Sequence, residues 1–168
     1  MKPANRKEDR IDRRFAENQS GKRKAVVVIR ERDGRSIAQT FPSEAASTAF
    51  VKARVARGTQ LMADEAGAWN TLHTAFPMKR IDHSKAYSDD GACTNGAEAF
   101  FSRLRRAEIG HHHHIAGAYL ARYAREAAWR DDHRRLSTGA QFHSVVSLVA
   151  KNKPSVDFCG YWQRHKAA

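Results

Sequence analysis

Two short stretches of this sequence place acids where they could line a site. Asp64 closes the apolar run "TQLMAD", and Glu98 follows Asn95 by three residues in "TNGAEAFFSRLRR", residues 94–106. Residues three and four apart share a face of a helix, so Asn95, Glu98, Ser102 and Arg105 form one polar stripe. Phe100, Phe101 and Leu104 fall on other sectors and can bury. Amide, carboxylate, hydroxyl and guanidinium in one row suit a solvated helix face and equally suit the wall of an active site. Asp64, at the end of a strand, either projects into the crevice where open α/β sheets gather ligands or caps the segment that follows. The run "HHHH" at 111–114 suggests zinc, but consecutive side chains point in different directions. A polar connector between helices is the better reading.

These residues need elements to hold them. "KAVVVIRER" and "SIAQTF" read as strands joined by the turn signal "DGR", with Gly34 free to take positive φ. "SEAASTAFVKARVA" has helical spacing, with Ser43 as its N-cap and Gly58 as its stop. "TQLMAD" is a short strand ending at Asp64. "EAGAWNTLHTAF" reads as a helix with Trp69, Leu72 and Phe76 on one face, and "MKRIDHS" as another strand. After the loop "AYSDDGACTNG" a helix starts with Thr94 as N-cap, and two more follow near 115–131 and 138–150. A hairpin, a helix and then strands alternating with helices imply a mixed α/β sheet.

Composition restricts the partners. The 168 residues include 30 Lys and Arg against 18 Asp and Glu, a formal charge of +12. Such a surplus favours a polyanion, with nucleic acid first. Residues 1–24 carry nine Lys or Arg against four acids and form a solvated tail or a phosphate-binding arm. The ending "FCGYWQRHK" interleaves Phe158, Tyr161 and Trp162 with Arg164 and Lys166, which either pack on a core or stack on bases. No apolar run approaches a membrane span, no secretory signal opens the chain, and Cys93 and Cys159 form no CxxC motif. The expectation is a reduced, cytoplasmic protein.

Taken together, "KRKAVVVIRERDGR", "ADEAGAWNTLH", "CTNGAEAFFSRLRRAEIGHHHHIAGAYLARYAREAAWR" and "PSVDFCGYWQRH" resemble bacterial insertion-sequence transposases of the ISXO-like group. These are DDE-type recombinases with a ribonuclease H-like catalytic domain, and the block at 94–113 carries the likeness most specifically. The resemblance implies an α/β fold, a ribonuclease H-like mixed sheet flanked by helices, with extra helices toward the C-terminus. The expected domains are a basic arm over 1–24, a partial catalytic domain over 25–150 and a tail over 151–168. Asp64 matches the second catalytic acid and Glu98 the third, with Asn95 as the reserve ligand. The acids would hold Mg²⁺, a hard ion that prefers oxygen, for in-line attack on a phosphodiester. Arg105 matches a basic residue expected on DNA phosphate; Arg103, Arg106, Lys22, Arg23 and Lys24 are the other expected DNA contacts. The implied partners are the double-stranded DNA of terminal inverted repeats and target, with a homo-oligomer for the full-length protein and a nucleoid-associated location.

One departure matters. The family's first catalytic Asp lies on a central strand ahead of "KPAN", whereas this sequence opens at "MKPAN". Asp9, Asp12 and Asp33 do not replace it, since none lies at the end of a strand. The expectation is therefore a sheet lacking its first central strand, with unpaired edges on "KAVVVIRER" and "TQLMAD", and an N-terminally truncated, inactive chain or a miscalled start. Against the transposase stand a non-enzymatic basic module that binds nucleic acid, and a nuclease on the same fold.

Overall fold

The computed structural model describes residues 24–82 and 93–153. Most of the basic arm, with Lys22 and Arg23, lies outside the described residues, as do most of the 86–96 loop and the aromatic tail. The chain divides into two compact units, Met1–Asp132 and His133–Ala168.

In the first unit, β1 (Ala25–Arg30) and β2 (Ser36–Phe41) form an antiparallel hairpin in the register Val28↔Ala38. Asp33 takes the left-handed conformation in its turn, at φ 58°, and Gly34 does not. The expectation for Gly34 is corrected here: aspartate tolerates that region through local hydrogen bonding. Strand β3 (Leu61–Asp64) pairs in parallel with β4 (Met78–Ile81), Asp64 opposite Ile81. The two pairs are separate two-stranded sheets. The α/β class agrees with the element order, whereas in place of the expected single mixed sheet the described residues form two small sheets, one antiparallel and one parallel.

Between them the helical segments are shorter than their spacing suggested. A 3-10 turn, Ala45–Ser47, leads into α1 (Thr48–Arg54), and Val55 is already extended. Ser43 Oγ accepts from Ala46 N at 3.3 Å, so the expected cap serves the turn. The segment expected as a helix around Trp69 is a 3-10 helix, Gly67–Leu72. Glycine, asparagine and threonine there are poor helix formers, and side chains of Asp64 and Arg80 engage its backbone and indole.

Helix α2 (Asn95–Ala107) begins after Thr94 as expected. Its end passes into a π-helical turn, Glu108–His112, and His113 adopts φ 54°. The histidine run is thus a helix terminus and connector, with His112 against the Tyr123 ring at 4.5 Å. Helix α3 (Leu120–His133) follows.

Two apolar clusters hold this unit. Ala38, Phe100, Leu104, Ala124 and Ala128 bury together, with Val26 and Val28 against them. Val51, Leu72 and Phe76 form the second, with Ile29, Leu61 and Trp69 alongside. Alternate side chains point to opposite faces of a strand, so β1 serves both clusters: Val26 and Val28 on one face, Ile29 on the other. Burying Phe100 alone, at 1% exposure, contributes about 1.5–3 kcal/mol.

In the second unit α4 (Thr138–Lys151) is capped by Ser137, whose side chain accepts from Ala140 N. Ser144 Oγ meets His133 Nε2 at 3.3 Å. Phe142, Val146 and Val149 are exposed on α4. No helix among the described residues is long and apolar enough to cross a membrane.

Candidate functional site

Residues of β1 and β3, Glu44 and the first turns of α2 line an open cavity of about 190 Å³. Its floor is apolar, built from Val26–Val28, Met62, Ala63 and Phe101, and three carboxylates line it: Glu44, Asp64 and Glu98. Asp64 arrives at the end of β3, where parallel pairing with β4 stops. Its Oδ1 accepts from the Trp69 indole N–H at 2.8 Å and from Ala66 N at 3.3 Å. The two readings open for Asp64 therefore coexist, because it ties down the following turn and also lines the cavity. Arg80, on β4, braces that turn by donating to the carbonyls of Asp64 at 2.6 Å and Ala66 at 2.7 Å, and to Asn70 Oδ1 at 3.0 Å.

Glu98 arrives from α2, which buries Phe100 and Leu104 and so turns its polar stripe outward. Thr94 Oγ1 donates to Glu98 Oε1 at 3.2 Å, so the N-cap residue orients the acid and makes no side-chain bond to a backbone N–H. Asn95 is exposed at the first residue of α2 and does not line the cavity. The structure thus brings Asp64 and Glu98, 34 residues apart in the chain, to one concavity and leaves Asn95 outside it.

The expected DNA-contacting arginines separate from one another. Arg105 is exposed and lies over the Phe101 ring at 6.0 Å, and Arg106 is exposed with its Nε donating to Ser102 O at 3.3 Å. Arg103 instead pairs with the buried Asp131 at 2.7 Å. Lys24 is exposed just ahead of β1.

Carboxylate oxygens are the donors a hard divalent ion takes, and Asp64 and Glu98 supply them from rigid elements. Among the described residues no three His, Cys, Asp or Glu side chains gather closely enough to hold an ion. The oxygen donors of Asp64 and Glu98 are of the kind Mg²⁺ takes, and Glu44 is a third carboxylate on the cavity wall. Glu44 and Arg80 were not anticipated, and Trp69 was expected only on the apolar face of its segment. Their only signals were a tryptophan five residues after the acid and an arginine on the neighbouring strand, both ordinary patterns.

Residues 1–132 match the family model of the ISXO2-like transposase domain. No curated protein and no solved structure matches the chain significantly.

Proposed function

Because the chain belongs to the ISXO2-like transposase domain family, we propose that it acts on DNA as the catalytic part of an insertion-sequence transposase, with Asp64 and Glu98 as ligands of Mg²⁺. The observation that carries this reading is that both acids line one cavity, Asp64 from a strand end and Glu98 from a helix. When bound, the ions supply an activated nucleophile and stabilise the leaving oxygen at a phosphodiester. The chain's own part is to hold the two carboxylates on packed elements. Trp69 and Thr94 orient them by hydrogen bonds, and exposed Arg105, Arg106 and Lys24 offer charge to phosphate. DNA ends and target are the substrates, a homo-oligomer is the working form, and the nucleoid is the place of action.

The ribonuclease H-like reading of the fold has support in β1. It is apolar on both faces, as interior strands of layered α/β sheets are, yet among the described residues it pairs with β2 alone. Among the described residues β3 likewise pairs with β4 alone, and β1 and β3 both line the cavity. One more strand between them would join the two sheets into one mixed sheet, and an acid on that strand would complete the ligand set.

The test uses DNA carrying the element's terminal inverted repeats with Mg²⁺. A version in which an Asp-bearing strand joins β1 and β3 is expected to cut the ends and join them to target. In that version Asp64→Asn or Glu98→Gln lowers the rate about a thousandfold, the equivalent of several kcal/mol of transition-state stabilisation. Undiminished strand transfer in either variant would overturn the site assignment. The charge of +12 supports a second reading, a non-enzymatic nucleic-acid-binding protein. Its binding would fall steeply with salt and ignore both substitutions.

A further inference from the structure

We propose that Asp131 is a positioning residue for α2: by holding Arg30 against Gly96 and by holding Arg103, it sets where Glu98 stands at the cavity. Arg30 is the last residue of β1, the strand whose valines line the cavity floor. Its Nη1 donates to Ser36 Oγ at 2.8 Å and to Asp131 Oδ2. The stem of the same side chain lies on the first turn of α2. A Cβ placed on Gly96 would stand 2.9 Å from Arg30 Cδ and 3.2 Å from its Nε. Those atoms cannot simply swing aside, because the guanidinium beyond them is held at two acceptors. Gly96 directly follows Asn95 and precedes Glu98 by two residues.

The second hold is on the same helix. Arg103 Nη2 lies 2.7 Å from Asp131 Oδ1. One carboxylate therefore uses one oxygen for β1 and the other for α2. Asp131 reaches both because Ala124 and Ala128, on its own face of α3, are small and buried, so the helix packs closely against Phe100 and Leu104. The next residue, Asp132, accepts from Ser36 N at 3.1 and 3.0 Å and fastens the end of α3 to the hairpin. Taking Asp131 out of water and partly burying Arg30 and Arg103 beside it is a poor way to gain stability, since a well-packed apolar set often does as well. Fixing one arrangement of packed elements is a role such clusters can serve, and here the elements are the two that bound the cavity.

The consequence for metal binding rests on the reading of Asp64 and Glu98 given above; the geometric claim does not. Spin labels on Glu65→Cys, beside the end of β3, and Ser102→Cys, on α2, report the spacing across the cavity, with Cys93→Ser and Cys159→Ser in the background. Alanine is a better helix former than glycine, so Gly96→Ala should be benign by propensity alone. The expectation is instead a displaced distance distribution with unchanged far-UV circular dichroism. Adding Arg30→Ala to Gly96→Ala should restore it. Asp131→Asn should broaden the distribution. Mn²⁺ affinity should weaken about tenfold or more in Gly96→Ala, the usual cost of disturbing the support of a ligand, and recover with Arg30→Ala. Indifference of Mn²⁺ binding to Glu98→Gln would sink the metal reading while the label distances still decide the positioning role. Unaltered distances in folded Gly96→Ala would overturn that role, whether or not Asp131→Asn folds.

Discussion

Acids and arginines do two different jobs within the first unit. At the cavity, Asp64 and Glu98 are exposed; Asp64 accepts from an indole and a backbone N–H, and Glu98 accepts from a threonine hydroxyl. Beneath α2, Asp131 has a side chain only 2% exposed and lies between Arg30 and Arg103. The residue types are the same, and water makes the difference. A carboxylate in solvent keeps its charge at little cost and remains available to an ion or a phosphate partner. A carboxylate out of solvent must be paired, and is then part of the frame. Arg103 and Arg105, two residues apart on one helix, fall on opposite sides of that divide.

The comparison breaks first at Asp131. Asp131→Ala leaves two arginines facing each other without their anion and is expected to cost about 3–5 kcal/mol in urea unfolding. Glu98→Gln, at an exposed position, is expected to stay within about 0.5 kcal/mol. Equal losses in the two would mean that burial does not separate these acids. A finer contrast lies between the arginines. Arg105→Ala should lower the slope of log affinity for DNA against log salt by about one contact's worth while stability holds. Arg103→Ala should leave the slope alone and lower the unfolding midpoint. Exchanged outcomes would place the phosphate contact on the wrong arginine. The smallest effect belongs to Trp69→Phe, which removes the indole N–H from Asp64 and should cost less than about 1 kcal/mol of stability, read as a small drop in thermal midpoint.

Much of the framework was legible from pattern. Strands β1 to β4 appeared where β-branched or alternating apolar runs met turn residues, and α2 appeared behind Thr94 with Phe100 and Leu104 inward. Those elements rest on local periodicity, which one sequence displays. The segment around Trp69 did not follow its spacing, because tertiary hydrogen bonds from Arg80 and to Asp64 favour a tighter helix. Gly34 was the natural choice for the left-handed residue of the hairpin turn, yet the register of β1 with β2 places that conformation one residue earlier, at Asp33.

For the candidate site, the identities of Asp64 and Glu98 were available from motif and resemblance, and the match over residues 1–132 supports the family they imply. Their convergence was implied by the resemblance and not by any local pattern; Glu44 beside them and the allegiance of Arg103 to Asp131 were not available at all. The sequence by itself determined which residues carry charge, where strands and helices form and which apolar stripe each helix must bury, because those follow from neighbours a few positions apart. Only the tertiary structure decided which charges meet across the chain and which stay in water, because pairing and desolvation depend on distances that packing alone creates.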